Sequence, residues 1–172
     1  MVESTIMGGI LEIYGVVERE GYCYQDIREE IQRIWFEYKF NEVYQKNTHH
    51  YAYQQKAKDI VDSIINSDVI KLDRRAIGNA GNLDSKIIRS ICKNHGIKFS
   101  LSSEAKGGNK LYTVKNKRNN LAHGSQSFSE CGGEYTLNDL NEIKNQTYIF
   151  LSDILSSMED YYNNKLYLAN AQ

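Results

Sequence analysis

Apolar positions recur at helical spacing along most of the chain. Ile6, Ile10, Ile13 and Val17 fall three or four residues apart and predict an amphipathic helix over 6–17, weakened by the low helix propensity of Gly8, Gly9 and Gly15. Over 24–44, Ile27, Ile31, Ile34, Trp35, Tyr38, Phe40 and Val43 keep a 3.6-residue period for roughly six turns, the strongest helical pattern present. Asp26, Glu29 and Glu30 fall in its first turns, where the helix dipole favours carboxylates. A polar stretch at 47–53 is either a bend or the polar face of a continuing helix. A third helix is expected over 55–71, with Ala57, Ile60, Val61, Ile64 and Ile65 on one face.

Gly78, Asn79, Gly81 and Asn82 make 73–83 the clearest loop. Asp84 or Asn82 can cap a helix over 85–94 that buries Ile87, Ile88, Ile91 and Cys92 and stops at Gly96. A short extended piece is expected at 97–101, a polar loop at 102–108, and a helix over 109–122. A second glycine-containing loop is expected at 125–135. Thr136 with Asp139 resembles a capping box, although Glu or Gln is usual at the third position. It opens a long closing helix carrying Leu137, Leu140, Ile143, Tyr148, Leu151, Ile154, Leu155, Met158 and Tyr161. The chain contains no proline, which removes the usual helix breaker. These elements predict an all-α fold of about five to six helices, as one domain over 1–172.

Composition changes this picture little. A length of 172 residues suits one domain with a real core, and 41% hydrophobic with 25% charged residues is ordinary for a soluble protein. No apolar run reaches membrane-spanning length, and 1–9 lacks a basic segment before an apolar one, so neither a membrane span nor a signal peptide is expected. Cys23, Cys92 and Cys131 are far apart and odd in number, which points to free thiols in a reducing, cytoplasmic setting. A net charge of −1 excludes nucleic-acid binding by bulk charge alone. The distribution is uneven, however. Lys106, Lys110, Lys115, Lys117 and Arg118 occur with no acid over 106–123, while Glu130, Glu134, Asp139 and Glu142 follow with no base over 130–142. This run reads either as a local cationic patch or as a solvated helix face.

The chemistry concentrates in one stretch, Lys117, Arg118, Asn119, Asn120, Leu121, Ala122, His123 and Gly124. On a helix, Leu111, Val114, Leu121 and Ala122 form an apolar stripe from which Arg118 projects. A guanidinium there must be paired, snorkel outwards, or face a cleft or a partner. Asn119 and His123 are four apart and share a face, and Gly124 fits a C-cap that places His123 at the helix end. Arginine offers a permanently charged fork for a phosphoryl group, and histidine moves protons near neutral pH. The bland alternative is a capping histidine beside a structural arginine.

The heptad RNNLAHG at 118–124 resembles the R-x4-6-H signature of the HEPN superfamily, with a polar residue directly after the arginine. The resemblance extends through GNLDSKIIRSICKNHGIKF at 81–99, KLYTVKNKRNNLAHG at 110–124, SF at 127–128 and YTLNDL at 135–140, and is similar to the MAE-like branch. It is strongest over 78–168; the N-terminal half matches only as generic helices. It implies an HEPN-like antiparallel helical bundle of about five to six helices, a homodimer with two motifs facing each other, and metal-independent endoribonuclease activity in defence, stress or toxin–antitoxin systems. Arg118 would then stabilise the scissile phosphate, His123 would act as general acid and base, and Asn119 would orient either. Lys115, Lys117 and Asn120 would contact RNA. No cofactor and no metal are implied, and the partners implied are RNA, a second copy, and an antitoxin or defence protein. The alternative within the resemblance is a non-catalytic HEPN module that binds RNA, nucleotide or protein.

Other candidates are weaker. Adjacent His49 and His50 point about 100° apart on a helix and make a poor metal pair. His95 reads as a helix-end residue and Trp35 as core. Tyr44, Tyr51 and Tyr53, with Lys46 and Lys56, either stack on RNA bases or pack the bundle. Cys131 has no local base and makes a poor nucleophile.

Overall fold

A computed structural model describes residues 2–44, 50–78 and 82–171, with the side chains of 42–50 also outside the description. Lys46 and His49 therefore lie outside the described residues, and the side chains of Val43, Tyr44 and His50 outside the description. Those residues form seven α-helices and no strand: α1 (Val2–Arg19), α2 (Glu29–Tyr44), α3 (His50–Ile65), α4 (Ser85–Asn94), α5 (Asn109–Ala122), α6 (Phe128–Gly133) and α7 (Leu137–Asn163). Single 3₁₀ segments cover Arg74–Ile77 and Ser103–Gly108. No described helix is long and apolar enough to cross a membrane.

The first helix buries the predicted stripe Ile6, Ile10, Ile13 and Val17, adds Met7, Tyr14 and Val16 to it, and packs on α7. The second begins five residues later than the pattern suggests. Cys23 and Asp26 instead close a turn, Cys23 N–H donating to Asp26 Oδ2 at 2.8 Å, while Cys23 pairs with Val69 and Ile27 with Leu168 in isolated antiparallel bridges. Asp26 thus holds a turn rather than a helix start. Long-range backbone pairing overrides local propensity here, and Ile27 still reaches the core.

The third helix stops at Ile65 rather than near 71. Ser67 turns into the left-handed region at φ 55°, and Asp68 N–H returns to Ser63 O at 2.9 Å. Of its expected apolar face, Ile60 is buried, while Val61 and Ile65 are 52% and 72% exposed. The 97–101 stretch forms no strand; it leads to Ser102, whose N–H and hydroxyl both donate to Asp153 Oδ2 at 2.9 Å.

His95 caps the end of α4, as expected, and is also a buried polar residue of the core. It is 2% exposed, with Nδ1 2.7 Å from Ile91 O and Nε2 2.6 Å from the Tyr14 hydroxyl. A carbonyl can only accept, so Nδ1 carries the proton and Nε2 accepts from Tyr14. The Tyr161 hydroxyl donates to His95 O at 2.8 Å, which joins α1, α4 and α7 at one residue. Trp35 is core as expected, and Tyr161 and Tyr167 join Tyr14 among the most buried side chains.

Candidate functional site on helix 5

The helix that carries the motif spans Asn109–Ala122, as its spacing predicts. Its start is fixed by Gly108, at φ 77°, where a Cβ would lie 2.6 Å from the Phe150 ring on α7. Only glycine combines that backbone with so close an approach. Leu111 in the first turn is buried, which anchors the helix to the core. The far end is capped by a Schellman arrangement: Ser125 N–H donates to Asn120 O at 2.9 Å, Gly124 N–H to Leu121 O at 3.3 Å, and Gly124 adopts φ 69°. His123 is the exposed C-cap residue itself, with φ −91° and ψ 0°.

Two cations of the run, Lys110 and Lys117, pair with the acidic run that follows it. Lys117 bonds the Glu134 carboxylate and, at 3.2 Å, Gln126 Oε1, and its ammonium lies 5.7 Å from the Tyr135 ring centre. The Lys117 hydrogen bond holds Glu134 below the usual carboxylate range and raises Lys117 in return. Lys110 reaches Glu142 at 3.4 Å, and Lys115 reaches Asp84 at 2.8 Å. Burial raises the Asp84 carboxyl, but Lys115 and the helix N-terminal amides outweigh it and hold it low. Two of the expected RNA contacts, Lys115 and Lys117, are therefore already ion-paired. The third, Asn120, is exposed.

Arg118 is exposed, and its Nη1 donates to Asn82 Oδ1 at 2.5 Å. It stands on a ridge between two grooves. One, of about 300 Å³, holds Val2, Glu3, Asn82, Leu83 and Lys115. The other, of about 680 Å³, is open and nearly all apolar, lined by Val114, Leu121, Leu140, Ile143 and the α6 residues Phe128 and Cys131. Arg118 does rise beside an apolar stripe, as its helical phase predicts. Asn119 is half-buried, and the bond joining it to His123 runs through the backbone, His123 N–H to Asn119 O at 2.9 Å. Five residues at about 100° each place Arg118 and His123 ~140° apart around the helix axis.

Sequence reasoning missed α6 and the partners of the cations. Residues expected to be a loop form a short helix whose N-terminus is a full capping box: Ser127 Oγ accepts from Glu130 N–H, and Glu130 accepts from Ser127 N–H. The spacing Ser-x-x-Glu was the visible signal. Asn82 and Asp84 lie about thirty residues before the cations they bind, and no local pattern announces such contacts. The Thr136–Asp139 capping box is present in full. Among the described residues no group of histidines, cysteines and acids could hold a metal ion.

Neither a curated protein nor a solved structure matches this chain. A family model does, over residues 1–167, so the resemblance reaches well beyond the C-terminal half. This all-α chain, with RNNLAHG at the end of α5, belongs to the MAE_28990-like HEPN family.

Proposed function

We propose that this protein is a metal-independent endoribonuclease whose site forms where two copies of α5 meet. The observation that carries the reading is the exposed pair Arg118 and His123 at a glycine-capped helix end beside an open apolar groove. The two side chains diverge around one helix, so a single copy aims them poorly at one phosphate. A second copy seated on the groove brings Arg118 of one chain towards His123 of the other. Phe128, 81% exposed, and Leu121 and Leu140 supply the apolar surface such a contact buries.

In this site the imidazole removes the ribose 2′-OH proton, and O2′ attacks the adjacent phosphorus. The P–O5′ bond breaks, and a proton from an imidazolium goes to the departing O5′. Products are a 2′,3′-cyclic phosphate and a 5′-hydroxyl. Arg118 supplies the permanent positive charge that the phosphorane-like transition state requires, and Asn119 orients the motif. We assign the activity to a defence or toxin–antitoxin setting. A second reading, a non-catalytic module that binds RNA, nucleotide or protein, draws on the ion pairs at Lys115 and Lys117 and on the apolar groove.

The test is incubation of purified protein with RNA in EDTA. Cleavage leaving cyclic-phosphate ends is expected, with Arg118→Ala and His123→Ala each lowering the rate by at least about 100-fold. Cleavage that survives both substitutions overturns the reading, and saturable binding without products favours the second one.

A further inference from the structure

The geometry points to Asn82 as the residue that positions Arg118 for phosphate binding, an inference that rests on the ribonuclease reading. Asn82 Oδ1 accepts from Arg118 Nη1 at 2.5 Å, across thirty-six positions of sequence. Asn82 holds φ 61°, a left-handed conformation that asparagine tolerates better than most residues with a side chain. The next residue, Leu83, is buried, and Asp84 caps α4 while binding Lys115 at 2.8 Å. The turn 82–84 is thus fastened to the core, to α4 and, at positions 115 and 118, to one face of α5.

The chemistry of the contact is specific. Two carboxylates lie close by, and each is bound to a different cation: Asp84 to Lys115, and Glu3 to Arg74 at 2.6 Å. The group left for Arg118 is a neutral amide. An amide oxygen fixes one N–H of the fork without cancelling its charge, and leaves its other donors to face phosphoryl oxygens. A carboxylate at position 82 would hold the same fork and compete with the substrate for it.

Two variants separate these effects. Asn82→Gly keeps the left-handed backbone and removes the acceptor. Asn82→Asp keeps the acceptor and adds a charge. Arginine side-chain NMR reports whether the Arg118 guanidinium is held, through resolved Nη signals, while steady-state cleavage gives kcat and KM separately. In wild type the Nη signals are expected to be resolved. In Asn82→Gly they merge and kcat falls about tenfold, because a misplaced group loses transition-state contact. In Asn82→Asp they stay resolved and KM rises severalfold. Unchanged Arg118 signals in Asn82→Gly, an unchanged kcat there, or a wild-type KM in Asn82→Asp overturns the inference. A wild-type chain that cuts no RNA refutes the ribonuclease reading alone, and the Arg118 signals still decide the Asn82 contact.

Discussion

His95 shows how much one residue can carry away from the motif. Burial pushes its imidazole down to about 4, so it stays neutral in the fold, with Nε2 accepting from Tyr14. The unfolded chain takes up that proton near 6.5. As pH falls from 6.5 towards about 4, the unfolded state gains a proton that the folded state refuses, so stability falls across that window. The loss is on the order of 3 kcal/mol at the acid end. Chemical unfolding at pH 7 and pH 5 measures it, and His95→Gln is expected to flatten the slope. Tyr14, whose hydroxyl meets the ring, and Tyr161, whose hydroxyl meets the His95 carbonyl, are both raised by burial, so neither titrates in this range. Tyr14→Phe leaves Nε2 buried without a donor and is expected to cost about 1–3 kcal/mol at pH 7. An unchanged midpoint would show that the bond contributes nothing. The sequence places His95 correctly at the end of α4, but nothing local reveals that Tyr14, eighty-one positions earlier, closes over it.

At the scale of elements, the legible parts are those whose signals are local. The bounds of α5, its glycine cap, the Asp84 cap of α4 and the Thr136–Asp139 box all follow from neighbouring residues. The start of α2 and the end of α3 do not, because Cys23 pairs with Val69 and Ile27 with Leu168. The short α6 matters most for the site. It presents Phe128 to the groove while Glu134, just beyond it, ties back to Lys117 on α5. Phe128 is so exposed that its replacement costs the monomer little. Phe128→Glu is therefore expected to leave the thermal midpoint nearly unchanged and to shift the protein from dimer to monomer in light scattering. Cleavage is expected to fall with it. A variant that stays dimeric would remove α6 from the interface.

For the whole molecule, the family match over 1–167 includes the N-terminal helices. Their role in the structure is concrete. Tyr14 on α1 secures α4, Glu3, ion-paired to Arg74, lines the groove beside Arg118, and α1 packs on α7, against which α5 is set. The scaffold thus fixes where α5 ends, and the divergence of Arg118 and His123 is the reason the proposed site calls for a second copy. Co-expression of Arg118→Ala and His123→Ala chains tests this directly. Each variant alone is expected to be inactive, and the mixed dimer retains one intact pairing of arginine and histidine across the interface, so cleavage of RNA in EDTA returns. Mixed dimers that stay as inactive as either variant would contradict a site shared between two chains.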